Sequence, residues 1–212
     1  MPRRARILIP DGVYHVINRG NQRQPIFHSD DDYFFYRDLL FKAKNKYGIK
    51  IFHYVLMPNH IHLLIKPEGM ENLSKFMQGL TIAHTRHFNA KYGKVGHAWQ
   101  SRFRSILIDS ESYMLQCGRY IELNPVRARI VTHPAEYRWS SFAHYASLVF
   151  DPMVDLDFML PTLSPNLDEQ LRIYRGFCEE EIPKIHAGIA TRFSEEDIYG
   201  SAAFVAKVKN AL

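Results

Sequence analysis

Two histidines one residue apart interrupt an otherwise apolar run, "YVLMPNHIHLLIKPEG", over residues 54–69. Side chains two positions apart in a β-strand point to the same face, so His60 and His62 would lie side by side, with Ile61, Leu63 and Ile65 on the other face. Two imidazoles on one rigid strand are a suitable ligand pair for a divalent cation. The alternative is a pair of half-exposed polar residues on the outer face of an antiparallel sheet. The metal interpretation therefore needs a third ligand and a reacting group.

The segment "ESYMLQCGRYIELNPVRA", residues 111–128, could supply both. Tyr120 and Asn124 are four residues apart and would share one face of a helix. The carbonyl oxygen of Asn124 suits Mg²⁺ or Mn²⁺, and a phenol beside a bound cation can attack a phosphodiester. The same pair is also compatible with a packed tyrosine and an asparagine that ends a helix. Because a free phenol has a pKa of about 10, a proton acceptor is required; Glu122, about 200° away around the helix, is badly placed for this.

The elements that must position these groups follow from the hydrophobic pattern. Residues 12–20, 49–57, 60–67 and 103–109 read as strands, and residues 29–48, 71–93 and 111–130 read as helices, the last ended or kinked by Pro125. The order strand, helix, strand, strand, helix, strand, helix is the split βαβ arrangement. We therefore expect an α+β, ferredoxin-like fold with a four- to five-stranded antiparallel sheet that has helices on one face.

Charge and composition change near residue 150. The first 150 residues carry 21 basic and 11 acidic side chains, whereas residues 151–212 carry 6 and 11. A basic body favours a polyanionic partner such as nucleic acid. We predict two units: a basic domain, 1–149, and a small, acidic, mostly helical extension, 150–212. The extension would either regulate entry to the site or pack on the body through Tyr174, Phe177 and Phe204.

Several classes of protein are disfavoured by the composition. No apolar run reaches the length of a membrane helix, and the N-terminus lacks the apolar segment of a signal peptide. Cys117 and Cys178 form neither a metal pattern nor a disulfide framework. No glycine-rich phosphate loop is visible, so no nucleotide cofactor is expected. These features indicate a cytoplasmic protein with reduced thiols and no membrane contact.

Two segments resemble a known enzyme family. "MPNHIHLLI" resembles the HUH motif (histidine, hydrophobe, histidine) of single-strand DNA nucleases, and "YIELNPVRA" resembles the tyrosine segment of the REP-associated tyrosine transposases. These are bacterial relatives of the small single-tyrosine insertion-sequence transposases. "GVYHVINRGNQRQPIF", "WQSRF" and "YRWSSF" are also similar to that family. The resemblance covers about residues 8 to 145.

The resemblance implies a bacterial, nucleoid-associated enzyme that cuts single-stranded DNA near the hairpin of a palindromic repeat. Tyr120 would attack the scissile phosphorus, leaving a 5′-phosphotyrosine link and a free 3′-OH. His60, His62 and Asn124 match the family's metal site, in which Mn²⁺ would suit the imidazoles better than Mg²⁺. Two alternatives stay open: an HUH replication initiator or relaxase, and a non-catalytic protein that binds single-stranded nucleic acid through its sheet.

Cations interleaved with aromatic rings suggest where a strand would bind. "KVGHAWQSRFRS" contains both, "MPRRAR" forms a basic arm, and further polar residues lie near Tyr120 and at the end of the first strand. The predicted DNA-binding residues are Arg3, Arg4, Arg6, Asn18, Arg19, Trp99, Arg102, Arg104, Arg127 and Arg129. Relatives that move insertion sequences work as dimers, but the added extension could block such an interface. A monomer is therefore favoured over a dimer.

Overall fold

The computed structural model describes residues 6–111, 113–147, 149–188 and 197–210. Five strands lie in these ranges: β1 (Val13–Arg19), β2 (Ile49–Met57), β3 (His60–Pro67), β4 (Arg104–Ile108) and β5 (Ile198–Tyr199). The α-helices are α1 (Asp30–Tyr47), α2 (Asn72–Tyr92), α3 (Met114–Glu122), α4 (Asn124–Arg127), α5 (Phe142–Tyr145), α6 (Leu167–Glu179), α7 (Ile182–His186) and α8 (Ala202–Asn210). Short 3-10 helices occupy Asn21–Arg23, Pro134–Glu136 and Leu160–Thr162.

The strands form one sheet in the order β2-β3-β1-β4-β5. β1 runs antiparallel to both β3 and β4, and β2 runs antiparallel to β3, which confirms the predicted four-stranded antiparallel sheet. The fifth strand departs from the prediction, because Ile198 and Tyr199 pair in parallel with Leu107 and Ile108 of β4. A two-residue strand from the acidic extension carries too little pattern to be recognised in the sequence.

Helices α1 and α2 begin and end where their sequence signals lie. Ser29 caps α1 in a capping box with Asp32, and Gly48 ends it in the left-handed conformation, with φ at 58°. The carboxylate of Asp32 also accepts hydrogen bonds from Lys91 and Tyr92 at the end of α2, each at 2.6 Å. The two helices are therefore tied together as one layer.

Helices cover both faces of the sheet, which corrects the expectation of one covered and one open face. The Tyr54 hydroxyl donates to Asp151 at 2.6 Å, and Asp151 pairs with Arg37 of α1 at 3.0 Å, so the Tyr54 face lies under α1. On the reverse face, the ring of His53 stacks on Tyr145 of α5, with centroids 4.4 Å apart, and lies 5.5 Å from Tyr174 of α6.

The acidic extension shares the hydrophobic core of the body. The buried side chains that it contributes include Met153, Leu160, Tyr174, Cys178 and Val208. Phe177 and Phe204 pack partly buried against the same core, as the second of the two hypotheses for this segment expects. None of the helices in the described part of the chain has the length and apolar character needed to cross a bilayer.

Candidate active site

Pro125 divides the late helix in two, as its ring predicts. α3 ends at Glu122, Leu123 leaves helical geometry with φ at −87° and ψ at 1°, and α4 begins at Asn124. The Asn124 side-chain nitrogen donates to the carbonyl oxygens of Tyr120 and Ile121, at 2.8 and 3.3 Å, which satisfies backbone acceptors left by the end of α3. Asn124 is thereby held one turn from Tyr120, and its side-chain carbonyl oxygen remains an acceptor for a ligand.

α3 places the Tyr120 ring over the histidines of the sheet. The ring centroid lies 6.0 Å from that of His62 and 5.9 Å from that of His15, in edge-on geometry. His60 and His62 are neighbours on this face, with ring centroids 4.9 Å apart. His62 is only 4% exposed, since α3 covers the face that the sequence pattern indicated would be open. The phenol and the paired imidazoles therefore share one covered site.

Hydrogen bonds fix which nitrogen of His60 can bind a ligand. The Asn59 side-chain nitrogen donates to the Arg23 carbonyl oxygen at 3.1 Å, so the Asn59 carbonyl oxygen faces His60. This oxygen can only accept, and therefore His60 Nδ1 donates to it, at 2.6 Å. The lone pair of a neutral His60 then lies on Nε2. Burial, together with the charge of Arg19, lowers the pKa of His60 to about 4, which keeps the ring neutral.

A third histidine orients His62. His62 Nδ1 shares a hydrogen bond of 2.8 Å with Nε2 of His15, a fully buried residue on the adjacent strand β1. If His62 donates in this bond, its Nε2 carries the lone pair that a metal would need, which is the usual role of a hydrogen bond behind a ligating imidazole. Burial, followed by the charges of His15, His60 and Arg19, lowers the pKa of His62 well below its ordinary value.

These donors fit a divalent cation. His60 offers Nε2, His62 offers Nε2 in one of its tautomers, and Asn124 offers its carbonyl oxygen, so the set is neutral and mixes nitrogen with oxygen. Among the residues that the structure describes, no group of three or more His, Cys, Asp or Glu side chains is arranged to hold a metal. A site on this face would therefore need the amide oxygen.

Tyr120 is partly buried, and its surroundings act on its pKa in opposite directions. Burial raises the pKa of the phenol, while the nearby charges of Arg127 and Arg19 lower it, with a net rise. The Arg127 guanidinium lies 5.0 Å from the centroid of the Tyr120 ring and 3.9 Å from the carboxylate of Glu181. Tyr120 is thus protonated at neutral pH, with a cation beside it that would stabilise a phenolate.

The predicted DNA-binding residues fall in three places. Arg19, Arg102, Arg104 and Asn18 line a cavity of about 240 Å³ at the ends of β1 and β4, and Asn18 itself is only 3% exposed. Arg6, Trp99 and Arg102 line a second cavity, of about 710 Å³, between α2 and the segment 97–103. Arg127 and Arg129 flank the end of α4, where Arg129 is exposed. Arg3 and Arg4 lie outside the described residues.

Two buried contacts around this site could not be predicted from the sequence. One is the His15–His62 hydrogen bond, and the other joins His53 to Glu122 and Asp157. Alternation along β1 and β2 predicts that His15 and His53 point to the face opposite to that of their immediate neighbours in sequence. It does not say which strand lies next to β1. The pairing of β1 with β3, in which Ile17 lies opposite His62, was the missing information.

Comparisons with known proteins bear on the family and the fold of the chain. A sequence model of the family described as "Transposase IS200 like" matches residues 9–124, while curated protein sequences contain no match. A solved structure of a REP-associated tyrosine transposase bound to a REP hairpin aligns with a TM-score of 0.59 at 21% identity, over 74% of this chain and 95% of that one. A protein of Deinococcus radiodurans R1, proposed to be a transposase, aligns with a TM-score of 0.41 at 20% identity, over 57% of this chain and 96% of that one. The fold is that of the REP-associated enzyme, and the chain belongs to the family of IS200-like transposases.

Proposed function

We propose that the protein is a metal-dependent endonuclease and strand transferase that acts on single-stranded DNA at repeat hairpins through a 5′-phosphotyrosine intermediate. The observation that carries the proposal is the position of the Tyr120 ring, 6.0 Å from that of His62 on the imidazole face of the sheet. The hairpin bound to the structurally similar transposase supports the choice of substrate.

Tyr120 is the nucleophile in this proposal. Its phenolic oxygen attacks the scissile phosphorus and loses its proton to water, while the bond from phosphorus to the 3′ oxygen breaks and that oxygen is protonated. A 3′-OH can later attack the phosphotyrosine, which restores the phenol and rejoins DNA. One ester replaces another, so no nucleotide cofactor is required. Arg127, beside the Tyr120 ring, stabilises negative charge on the phenolic and phosphoryl oxygens.

His60, His62 and Asn124 would hold the cation. Mn²⁺ or Mg²⁺ bound there would polarise the phosphate oxygens and offset the charge that develops on them. The protein's part is to keep both imidazoles neutral and oriented. The hydrogen bond from His60 to Asn59 and the shared hydrogen bond between His62 and His15 serve that role.

The two cavities outline a path for the single strand. The smaller cavity contains Arg19, which pairs with His60 in the sheet register, and it shares Gln100, Ser101 and Arg102 with the larger one. Burial and the charge of Arg102 lower the pKa of Arg6. Arg6 and Arg102 line the same cavity, and two cations there favour an anion between them. The larger cavity has room for an unpaired nucleotide beside Trp99, of which 6% is exposed.

Replacement of the nucleophile tests the proposal. With a repeat-hairpin oligonucleotide and Mn²⁺, Tyr120→Phe should abolish the covalent protein–DNA adduct seen on a denaturing gel, while the hairpin affinity stays within about twofold. His62→Ala should also prevent adduct formation. Tyr113→Phe, a control at the start of the same helix, should form the adduct at the wild-type rate.

The same assay separates the alternatives. If wild type forms no adduct and Tyr120→Phe changes no measured activity, the protein binds nucleic acid without cutting it. If wild type cuts origin sequences and ignores the repeat hairpin, the protein is an initiator or relaxase.

A further inference from the structure

We propose that Asp157, in the acidic extension, is a positioning residue for Tyr120 and acts through His53 and Glu122. This inference rests on the proposed function, because it concerns how the nucleophile is held. The negative charge of the extension is unfavourable for DNA binding. The proposal nevertheless gives the extension a role in catalysis.

The three side chains form a continuous buried chain of hydrogen bonds. His53 Nδ1 lies 2.8 Å from Glu122 Oε1, and His53 Nε2 lies 3.1 Å from Asp157 Oδ2. His53 and Glu122 are fully buried, and Asp157 is 1% exposed. The chain joins strand β2, the last residue of α3 and the segment that follows α5. It therefore connects the extension to the helix that carries Tyr120.

If both carboxylates are ionised, both nitrogens of His53 donate, because an ionised carboxylate only accepts. Burial alone would lower the pKa of His53, but the charges and hydrogen bonds of Glu122 and Asp157 raise it to about 9. A buried imidazolium between two carboxylates holds all three groups in place, since a partner that moved away would leave an unpaired buried charge.

Other contacts also hold α3 close to His53. A Cβ atom at Gly118 would lie 2.6 Å from His53 Nε2, so only glycine lets α3 approach His53 this closely. The carboxylate of Glu122 also accepts from the Ser141 hydroxyl at 2.9 Å and from the Tyr174 hydroxyl of α6 at 3.2 Å. α3 is thus anchored on the side away from the imidazole pair.

Tyr120 lies two residues before Glu122, and its side chain leaves α3 toward His62 and His15. A shift of α3 by about 1 Å would move the phenol relative to the bound phosphate, and such misplacement alone can slow a reaction about 100-fold. His60 and His62 stand on β3 and do not depend on this anchor, whereas Asn124 follows α3 and is hydrogen-bonded to its last turn. Loss of Asp157 should therefore slow chemistry more than it weakens metal binding, while hairpin binding persists.

The test uses the full-length protein and single-turnover adduct formation with a repeat hairpin and Mn²⁺. Asp157→Ala should lower the rate of adduct formation at least tenfold, with hairpin affinity within threefold of wild type and a loss of Mn²⁺ affinity that is smaller than the loss of rate. Asp157→Asn should restore the rate to within threefold of wild type. Its side-chain nitrogen can donate to a neutral His53, while its oxygen keeps the bond from the Met159 amide that Asp157 now accepts at 2.7 Å.

Asp155→Ala is the matched control. Asp155 fastens the same segment to the body through Lys44 and the amide of Ile51, each at 2.8 Å, but it is not part of the His53–Glu122 chain. All rates are measured below the melting temperature of each variant. Asp155→Ala should keep the wild-type rate, and an equal slowing in both alanine variants would overturn the proposal.

Two further outcomes decide the matter. A wild-type rate in folded Asp157→Ala would refute the positioning role, and so would a loss of Mn²⁺ or hairpin affinity that matches the loss of rate. If Asp157→Ala does not fold, Glu122→Met, which is close to glutamate in size but cannot accept from His53 Nδ1, replaces it with the same expectation of a tenfold loss. Failure of the proposed function is distinct, since wild type would then form no adduct at all.

Discussion

At the scale of single residues, the site depends on imidazoles that are neutral and held in one orientation. His60 is held by Asn59, whose own amide is fixed by the Arg23 carbonyl. His62 is held by His15, a residue without direct access to solvent. A ligating histidine whose other ring nitrogen is already hydrogen-bonded loses little conformational freedom when a cation binds.

Replacement of His15 should weaken metal binding without removing a ligand. His15→Phe keeps a buried ring but leaves His62 Nδ1 without its partner, so we expect Mn²⁺ affinity to fall about 10- to 100-fold. Isothermal titration of the DNA-free protein with Mn²⁺ measures this. His84→Phe is the control, because His84 is equally buried but lies among Tyr36, Phe27 and Trp99, away from the pair. An unchanged affinity in His15→Phe would show that His62 needs no support.

At the scale of elements, the decisive feature is the close contact of α3 with the sheet. Tyr120 lies on a helix of nine residues that ends at the break before Pro125. Its position is set by what it packs on, namely His53 on one side and the His62–His15 pair on the other. A small change in how α3 packs on the sheet should therefore displace the Tyr120 phenol.

A methyl group added at Gly118 should separate α3 from the sheet. Because the new Cβ would lie 2.6 Å from His53 Nε2, Gly118→Ala should lower the free energy of unfolding by about 1–3 kcal/mol and slow adduct formation. Gly176→Ala, in α6, meets no atom within 4 Å and should stabilise the protein by about 0.5–1 kcal/mol. Urea titration of both variants checks the signs, and a stabilised Gly118→Ala would contradict this account of the contact.

At the scale of the whole molecule, basic and acidic side chains occupy different surroundings. The basic residues of the body line the path proposed for DNA, whereas acidic residues of the extension serve as internal anchors. Asp151 pairs with Arg37, Asp155 with Lys44, and Glu181 lies 3.9 Å from Arg119 and Arg127. The net charge of −5 in the extension therefore overstates the repulsion that DNA would meet.

The cations of the large cavity should contribute to the salt dependence of hairpin binding. Replacement of both Arg6 and Arg102 by Gln should reduce the slope of log affinity against log salt concentration by about 0.7 for each phosphate that the protein no longer neutralises. Arg172→Gln, in the extension, removes an exposed cation paired with Glu169 and should leave the slope unchanged. Fluorescence anisotropy with a labelled hairpin at several salt concentrations gives these slopes, and equal slopes in all variants would place the strand elsewhere.

Local chemistry made much of the fold and site predictable. The histidine pair, the tyrosine one turn before Asn124, the capped helix α1 and the break at Pro125 each follow from the properties of neighbouring residues, and the motifs around them indicated the family. Such features depend on spacing along the chain, which the sequence states directly. The four strands and their antiparallel pairing in one sheet followed from the same periodicities and from the split βαβ pattern.

The long-range contacts were decided by tertiary structure alone. His15 meets His62 because β1 inserts between β3 and β4, and His53 meets Asp157 across 104 residues of sequence. The burial of the imidazole face, the parallel strand β5 and the use of acidic residues as anchors have the same origin. A contact between distant residues depends on the packing of whole elements, whose energy is spread over many side chains and leaves no local pattern at either partner.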